Sequence, residues 1–280
     1  MRIVITGSSS GIGQVLAEHL LRQGHSVWGL ARRMHTIQIS GLSKMDREPE
    51  FRSTQIDVTR SATLRKAAAD IARQWERIDA LLHCAAAQGQ IGPAATLNTS
   101  QWSDTVRVIL EGTFNTISAF LPLLQRCHRR GKVVCFSGGG AAGPRPNFSA
   151  YAAAKAGVVR LVETLAAEWA DLPIDINAVA PGALPTAMTA EVLAAGPSRC
   201  GREEYDAARR TSTIGLEAFG RICGLIDYLL SEDSDGIAGR LISAQWDDWS
   251  KLARYKQEIM ASDVFTLRRI TTADRGLDLS

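Results

Sequence analysis

Short apolar runs alternate along this chain with longer segments whose apolar positions recur every three to four residues. "RIVIT" (2–6) has the unbroken apolar character of a strand buried on both faces. The following "IGQVLAEHLLRQG" has the period of an amphipathic helix, closed by Gly24. "SVWGLA", "STQIDV", "DALLHCA", "GKVVCFS", "IDINAVA" and "GRLISA" continue the series of strands. Helices are predicted over about 61–76, 100–124, 149–170 and 217–231, the second of them entered at Thr99 or Ser100. Continuous apolar strands separated by helices specify an α/β fold of Rossmann-like, doubly wound type. Its parallel sheet has about seven strands and helices cover both faces. Two segments interrupt the pattern: 34–52, polar and irregular, and 181–212, which reads as loop. With no internal repeat and no low-complexity linker, residues 1–245 form one domain. The tail 246–280, polar with aromatic patches, is expected to pack on a neighbouring subunit.

Composition narrows the function classes. Of 280 residues, 45% are hydrophobic and 22% charged, ordinary values for a chain with a full core. A formal net charge of +3 gives no field for nucleic acid or for a polybasic membrane patch. No apolar run reaches the roughly 18 residues that span a bilayer, and no basic-then-apolar leader opens the sequence. Five scattered cysteines, Cys84, Cys127, Cys135, Cys200 and Cys223, form neither a CxxC pair nor a Cys/His cluster. A metal site or disulfide framework is therefore not expected, and a reduced, cytoplasmic protein is.

Two motifs carry chemistry. In "VITGSSSGIGQVLAEHL", Gly7, Gly11 and Gly13 lie between the first strand and the first helix. Glycines at such a turn let backbone N–H groups approach a pyrophosphate, which the helix N-terminus also attracts. At the end of the second strand, "GLARR" puts Ala31 where an acid would accept the ribose 2′-OH, followed by Arg32 and Arg33. Guanidinium groups pair with a 2′-phosphate, so NADP rather than NAD is expected. The second motif is Tyr151 and Lys155, one helical turn apart on the same face. An ammonium beside a phenol favours the phenolate and makes the phenol a usable acid or base.

The TGxxxGxG spacing together with Tyr151-xxx-Lys155 resembles the short-chain dehydrogenase/reductase family, from residue 2 to about 244. The resemblance implies a dinucleotide-binding catalytic domain over 1–245 with a substrate loop at about 183–216. It implies cofactor contacts at Gly7, Ser9, Ser10, Gly11, Ile12, Gly13, Arg32, Arg33, Val58, Ala85, Tyr151 and Lys155. Asp57 in "IDVT" resembles the acid that touches the adenine amino group, and Pro181, Gly182 and Thr186 resemble residues lining the nicotinamide side. The implied activity interconverts a ketone and a secondary alcohol of a small-molecule substrate. The implied assembly is a homodimer or homotetramer through helices 100–124 and 149–170. The glycine-rich run before Tyr151 and the tail also resemble members of polysaccharide or sugar-derivative pathways.

Three departures stand out. The serine that family members carry thirteen residues before the tyrosine is here Gly138, inside a triple glycine. Ser137, re-aimed by those glycines, is the candidate to replace it as a catalytic hydroxyl. Ser149 is read as a helix N-cap. The family's water-steadying asparagine becomes Ile109, with Thr113 one turn later as a partial substitute, and "HCAA" stands for "NNAG", placing His83 at a strand end as a packing residue. Arg199, Arg202, Arg209 and Arg210 in the loop suit either a solvated lid or a phosphorylated substrate. The alternatives to a dehydrogenase are a non-catalytic NADP-binding scaffold or sensor, and an epimerase using transient oxidation.

Overall fold

The computed structural model describes residues 1–37 and 49–277. Most of the irregular segment 34–52, and the last three residues of the tail, lie outside the described residues. Seven strands form one all-parallel sheet: β1 (Arg2–Thr6), β2 (Ser26–Ala31), β3 (Phe51–Gln55), β4 (Ala80–His83), β5 (Gly131–Phe136), β6 (Ile174–Ala180) and β7 (Leu241–Ser243). Their order is β3-β2-β1-β4-β5-β6-β7, so the chain reverses its direction of travel across the sheet between β1 and β4. In sheets of this kind, ligands bind outside the C-terminal ends of the strands at that switch point.

Alternation within the buried strands divides the core. Val4, Leu81, Val133 and Ile176 face helices α2 (Ser61–Trp75), α4 (Gly112–Leu124) and α5 (Ser149–Glu168). Ile3, Ile5, Leu82, Val134 and Val179 face α1 (Gly11–Arg22) and α9 (Gly220–Leu230). Each face thus buries its own helix layer, the physical basis of the doubly wound pattern.

Several elements differ from the sequence expectation. β3 starts at Phe51 and ends at Gln55, so the apolar Ile56 and Val58 lie in the loop beyond it. The helix expected over 100–124 is α3 (Thr99–Val106), capped by the Asn98 side chain, then a π-helical turn at Arg107–Glu111, then α4. The expected loop at 181–212 contains α6 (Ala187–Ala195), α7 (Pro197–Cys200) and α8 (Arg202–Ser212). The tail fastens to its own chain. Leu252 and Ile259 enter the α1/α9 core. Arg240 donates to the carbonyls of Ser262 and Val264, and the Leu267 N–H donates to Glu163 at 2.6 Å.

Candidate active site

Two cavities open at the C-terminal ends of the strands. The larger, about 620 Å3, is lined by Gly7, Ser9, Ser10, Gly11, Ile12 and Gly13 of the first turn, by Arg32 and Arg33, by Asp57 and Val58, and by Ala85 and Thr186. The turn is built from backbone packing. Gly7 has φ +69°, and a Cβ there would sit 2.9 Å from the Ala85 nitrogen. A Cβ on Gly13 would overlap the Gly7 carbonyl oxygen. Glycine is therefore required for the turn to pass beneath the β4 loop. No side chain caps the first turn of α1, which leaves its amides for an anion. Asp57 accepts from the Thr59 N–H at 2.9 Å and from its hydroxyl at 2.7 Å. Burial works against its charge, but these bonds and the nearby Arg32 and Arg60 hold the carboxyl below its ordinary value. Its other oxygen is left for a donor such as an exocyclic amine. A glycine cradle, an open helix N-terminus, two exposed arginines and an ionised acid fit a phosphorylated dinucleotide.

The second cavity, about 430 Å3, adjoins the first. Ile12, Gln88, Thr186 and Met188 line both. Its wall holds Tyr151, Gly138, Gly139, Arg145, Pro181, Gly182, Leu184, Val192, Ala208 and Trp246 among others. Tyr151 lies in the first turn of α5, with Lys155 buried one turn on. The phenol occupies the space beside Gly138: a Cβ there would overlap Tyr151 Oη and lie 2.9 Å from its Cε1. The missing serine side chain is thus replaced by the tyrosine itself. Ser137 is not among the residues that line this cavity. Its N–H continues the β5–β6 ladder by donating to Val179 at 2.8 Å, and the residue is buried at 3% exposure. The triple glycine bends the chain only after it. Ser149 is no N-cap either. Phe148 takes that position, and Ser149 Oγ accepts from Trp102 Nε1 at 3.1 Å.

The electrostatics correct one expectation. Lys155 does not depress the phenol in the protein alone. Burial pushes Tyr151 above its ordinary pKa, and the cation opposing this is Arg145. Lys155 Nζ lies 5.7 Å from the phenol ring centroid and donates to the Phe136 carbonyl at 2.6 Å. Its own burial pulls it down to about 8, against the opposing influence of Cys135 and Cys84. Arg145 stands 5.6 Å over the Tyr151 ring and 3.8 Å over Phe148. A bidentate pair with Glu204 of α8, at 2.9 and 2.8 Å, fixes it there. Its side chain lies along Gly139, where a Cβ would meet it at 3.4 Å. Burial first, and then Lys155, hold His83 down to about 3, so its ring is neutral; Nδ1 pairs with Thr6 Oγ1 at 3.1 Å. Thr113 Oγ1 donates to the Ile109 carbonyl at 2.5 Å, one turn back along the helix.

None of the four loop arginines lines the substrate cavity. Arg199 holds the Ile91 carbonyl at 3.0 Å and clamps the lid, while Arg202 pairs within its helix with Asp206. Sequence reasoning passed over Gln88, Arg145, Glu204 and Trp246. Gln88 follows the strand-end "HCAAA", and Arg145 follows the triple glycine, so each stood beside a motif without belonging to it.

The family model described as short chain dehydrogenase matches residues 1–196. The chain belongs to that family of oxidoreductases. It is 28% identical to the Bacillus subtilis (strain 168) protein named "Probable 2,4-dienoyl-CoA reductase", over 88% of this chain and 96% of that one. It is 29% identical to a cyclohexanol dehydrogenase of Rhodococcus sp. (strain TK6), over 85% of this chain and 92% of the relative. Among solved structures it resembles a short chain dehydrogenase from Escherichia coli CFT073 complexed with NADPH. That likeness has a TM-score of 0.70 and 26% identity, covering 87% of this chain and 96% of the other.

Proposed function

We propose that this protein is an NADP-dependent oxidoreductase that interconverts a ketone and a secondary alcohol, with Tyr151 as the acid or base. The observation that carries the reading is the position of the phenol. Tyr151 forms part of the wall of a cavity that adjoins the dinucleotide cleft, with a buried ammonium one helical turn away. When bound, the nicotinamide supplies or accepts the hydride. Tyr151, held protonated by burial, donates its proton to the carbonyl oxygen in the reducing direction. Lys155 takes its place beneath, anchored on Phe136, where its charge compensates the phenolate left behind. Arg32 and Arg33 at the cleft's edge favour the 2′-phosphate of NADP, and the NADPH-bound relative accords with this choice.

The walls of the substrate cavity are mainly alkyl: Ala180, Pro181, Ala183, Leu184, Met188, Val192 and Ala208. Such a surface offers apolar contact to an alicyclic or aliphatic ketone, beside the polar side chains of Gln88, Thr186, Thr189, Thr211 and Ser243. The name of the cyclohexanol-oxidising relative points to the same class. We place the protein in the cytoplasm on its five unpaired cysteines. We place it in a homodimer or homotetramer on the long helices, where Phe114 is half exposed.

The test follows NADPH absorbance with cyclohexanone and a panel of aliphatic ketones and keto-sugars. Turnover is expected with the cyclic or aliphatic ketones, falling roughly 10²–10⁴-fold in Tyr151→Phe. Equal rates in the variant would remove Tyr151 as the acid. Binding of NADPH with no turnover on any ketone would favour a scaffold, and conversion without net NADPH loss an epimerase.

A further inference from the structure

A reacting carbonyl oxygen in this cavity needs a second hydrogen-bond donor besides Tyr151, and neither residue considered from the sequence provides it. Gly138 has no side chain, and the phenol already fills the space where one would be. Ser137 is not among the residues that line this cavity. Arg145 commits Nε and Nη2 to Glu204. A buried carboxamide in the wall is left without a partner. Gln88 is 4% exposed, and its Nε2 has no hydrogen-bond partner. Among the described residues lining this cavity, it is the one buried polar side-chain atom in that condition. Leaving a carboxamide end unpaired in the interior costs on the order of 1–3 kcal/mol, a cost that a ligand oxygen would relieve once the amide turns Nε2 from its buried side toward the cavity.

Its position gives it meaning. Gln88 lines the dinucleotide cavity and the substrate cavity together. Hydride can pass only where the two meet, so the reacting carbon lies at that junction. Its oxygen then falls between the phenol on α5 and the loop after β4 that carries Gln88. That loop is tethered on either side of the residue: the Ala85 N–H donates to Thr6 Oγ1 at 3.2 Å, and the Gly92 N–H to the Asn147 carbonyl at 2.9 Å.

We propose that Gln88 is a further catalytic residue, whose carboxamide donates a hydrogen bond to the substrate's carbonyl oxygen in place of the hydroxyl absent at Gly138. The inference rests on the ketone-reducing reading above. As the carbonyl carbon accepts hydride, the π pair moves to oxygen and the oxygen takes the proton of Tyr151. Gln88 holds that oxygen throughout and changes no covalent bond. It also restricts the substrate to carbonyl compounds whose oxygen is free to accept two hydrogen bonds, and disfavours a hindered ketone.

The experiment compares wild type, Gln88→Leu and Gln88→Glu in NADPH-dependent reduction of cyclohexanone, with NADPH affinity measured separately by fluorescence titration. The expected result is a 10- to 100-fold fall in kcat/KM for both variants, with NADPH affinity within about twofold of wild type. Gln88→Glu keeps the shape of the side chain and lacks the donor, so it decides the matter if Gln88→Leu does not fold. Cyclohexanone reduction in Gln88→Glu within threefold of wild type would overturn the proposal while leaving the ketone-reducing reading intact. A parallel loss of NADPH affinity would make Gln88 structural and overturn it as well. Failure of wild type on every ketone of the panel would remove the reading, and this inference with it.

Discussion

The chain has two glycine-rich turns at the same end of its sheet, one after β1 and one after β5, and they use glycine for opposite purposes. At Gly7 and Gly13 the space of the missing side chain is closed by backbone, namely the Ala85 nitrogen and the Gly7 carbonyl. At Gly138 and Gly139 it is taken by side chains with chemistry, the Tyr151 phenol and the Arg145 guanidinium. The first turn makes a surface that a ligand's phosphates can approach. The second draws the Tyr151 phenol, which we propose as the acid or base, and the Arg145 guanidinium inward, toward the strand ends. A glycine count treats the two alike, whereas the atoms beside each glycine separate a binding turn from a catalytic one.

Substitutions on each side should therefore fail differently. Gly138→Ser supplies the hydroxyl that the family resemblance implies here, but its Cβ would displace Tyr151 Oη. We expect kcat for cyclohexanone to fall roughly 10- to 100-fold, on the scale of a misplaced acid, with NADPH affinity kept. Gly13→Ala should do the reverse, lowering NADPH affinity and costing about 1–3 kcal/mol of stability in denaturant titration, because backbone cannot yield as a side chain does. Equal effects of both substitutions on affinity and on kcat would break the distinction.

A second effect concerns Lys155, beneath the catalytic turn. Its folded pKa of about 8 lies below the ordinary lysine value of 10.5. The unfolded chain therefore holds this proton over a range where the folded chain has lost it. Stability from this group rises with pH between about 8 and 10.5, and the full penalty applies below 8. Lys155→Met should raise stability at pH 7 by up to about 3 kcal/mol while abolishing reduction. Thermal unfolding across pH 7–10 measures it, and a variant no more stable than wild type at pH 7 would contradict the assignment. The same titration predicts that reduction by the free protein weakens as pH rises through about 8. The smallest expected effect is at the rim of the binding turn. Arg32→Ala and Arg33→Ala should each weaken NADPH about tenfold or less and leave NADH unchanged, read from the ratio of the two dissociation constants.

Much of the fold was legible because burial on both faces of a parallel sheet writes itself as continuous apolar runs. The boundary of β3 was not, since Ile56 and Val58 are as buried beneath the dinucleotide cavity as they would be in a strand. Periodicity registers burial without its cause. The lid was misread for a related reason. Its three helices are short and punctuated by Gly196, Pro197 and Gly201. They are held by contacts distant in sequence, Arg145 with Glu204 and Arg199 with Ile91.

Local order in the chain was enough to set the strand–turn–helix around Gly7, the pairing of Tyr151 with Lys155, and the arginines after β2, because each depends on neighbours within a few residues. Tertiary structure alone decided that the phenol would fill the place of a serine, that Arg145 rather than Lys155 would oppose its burial, and that Gln88 would be left without a partner. Those outcomes depend on desolvation and on atoms brought together across the sheet, and neither is a property of residue spacing.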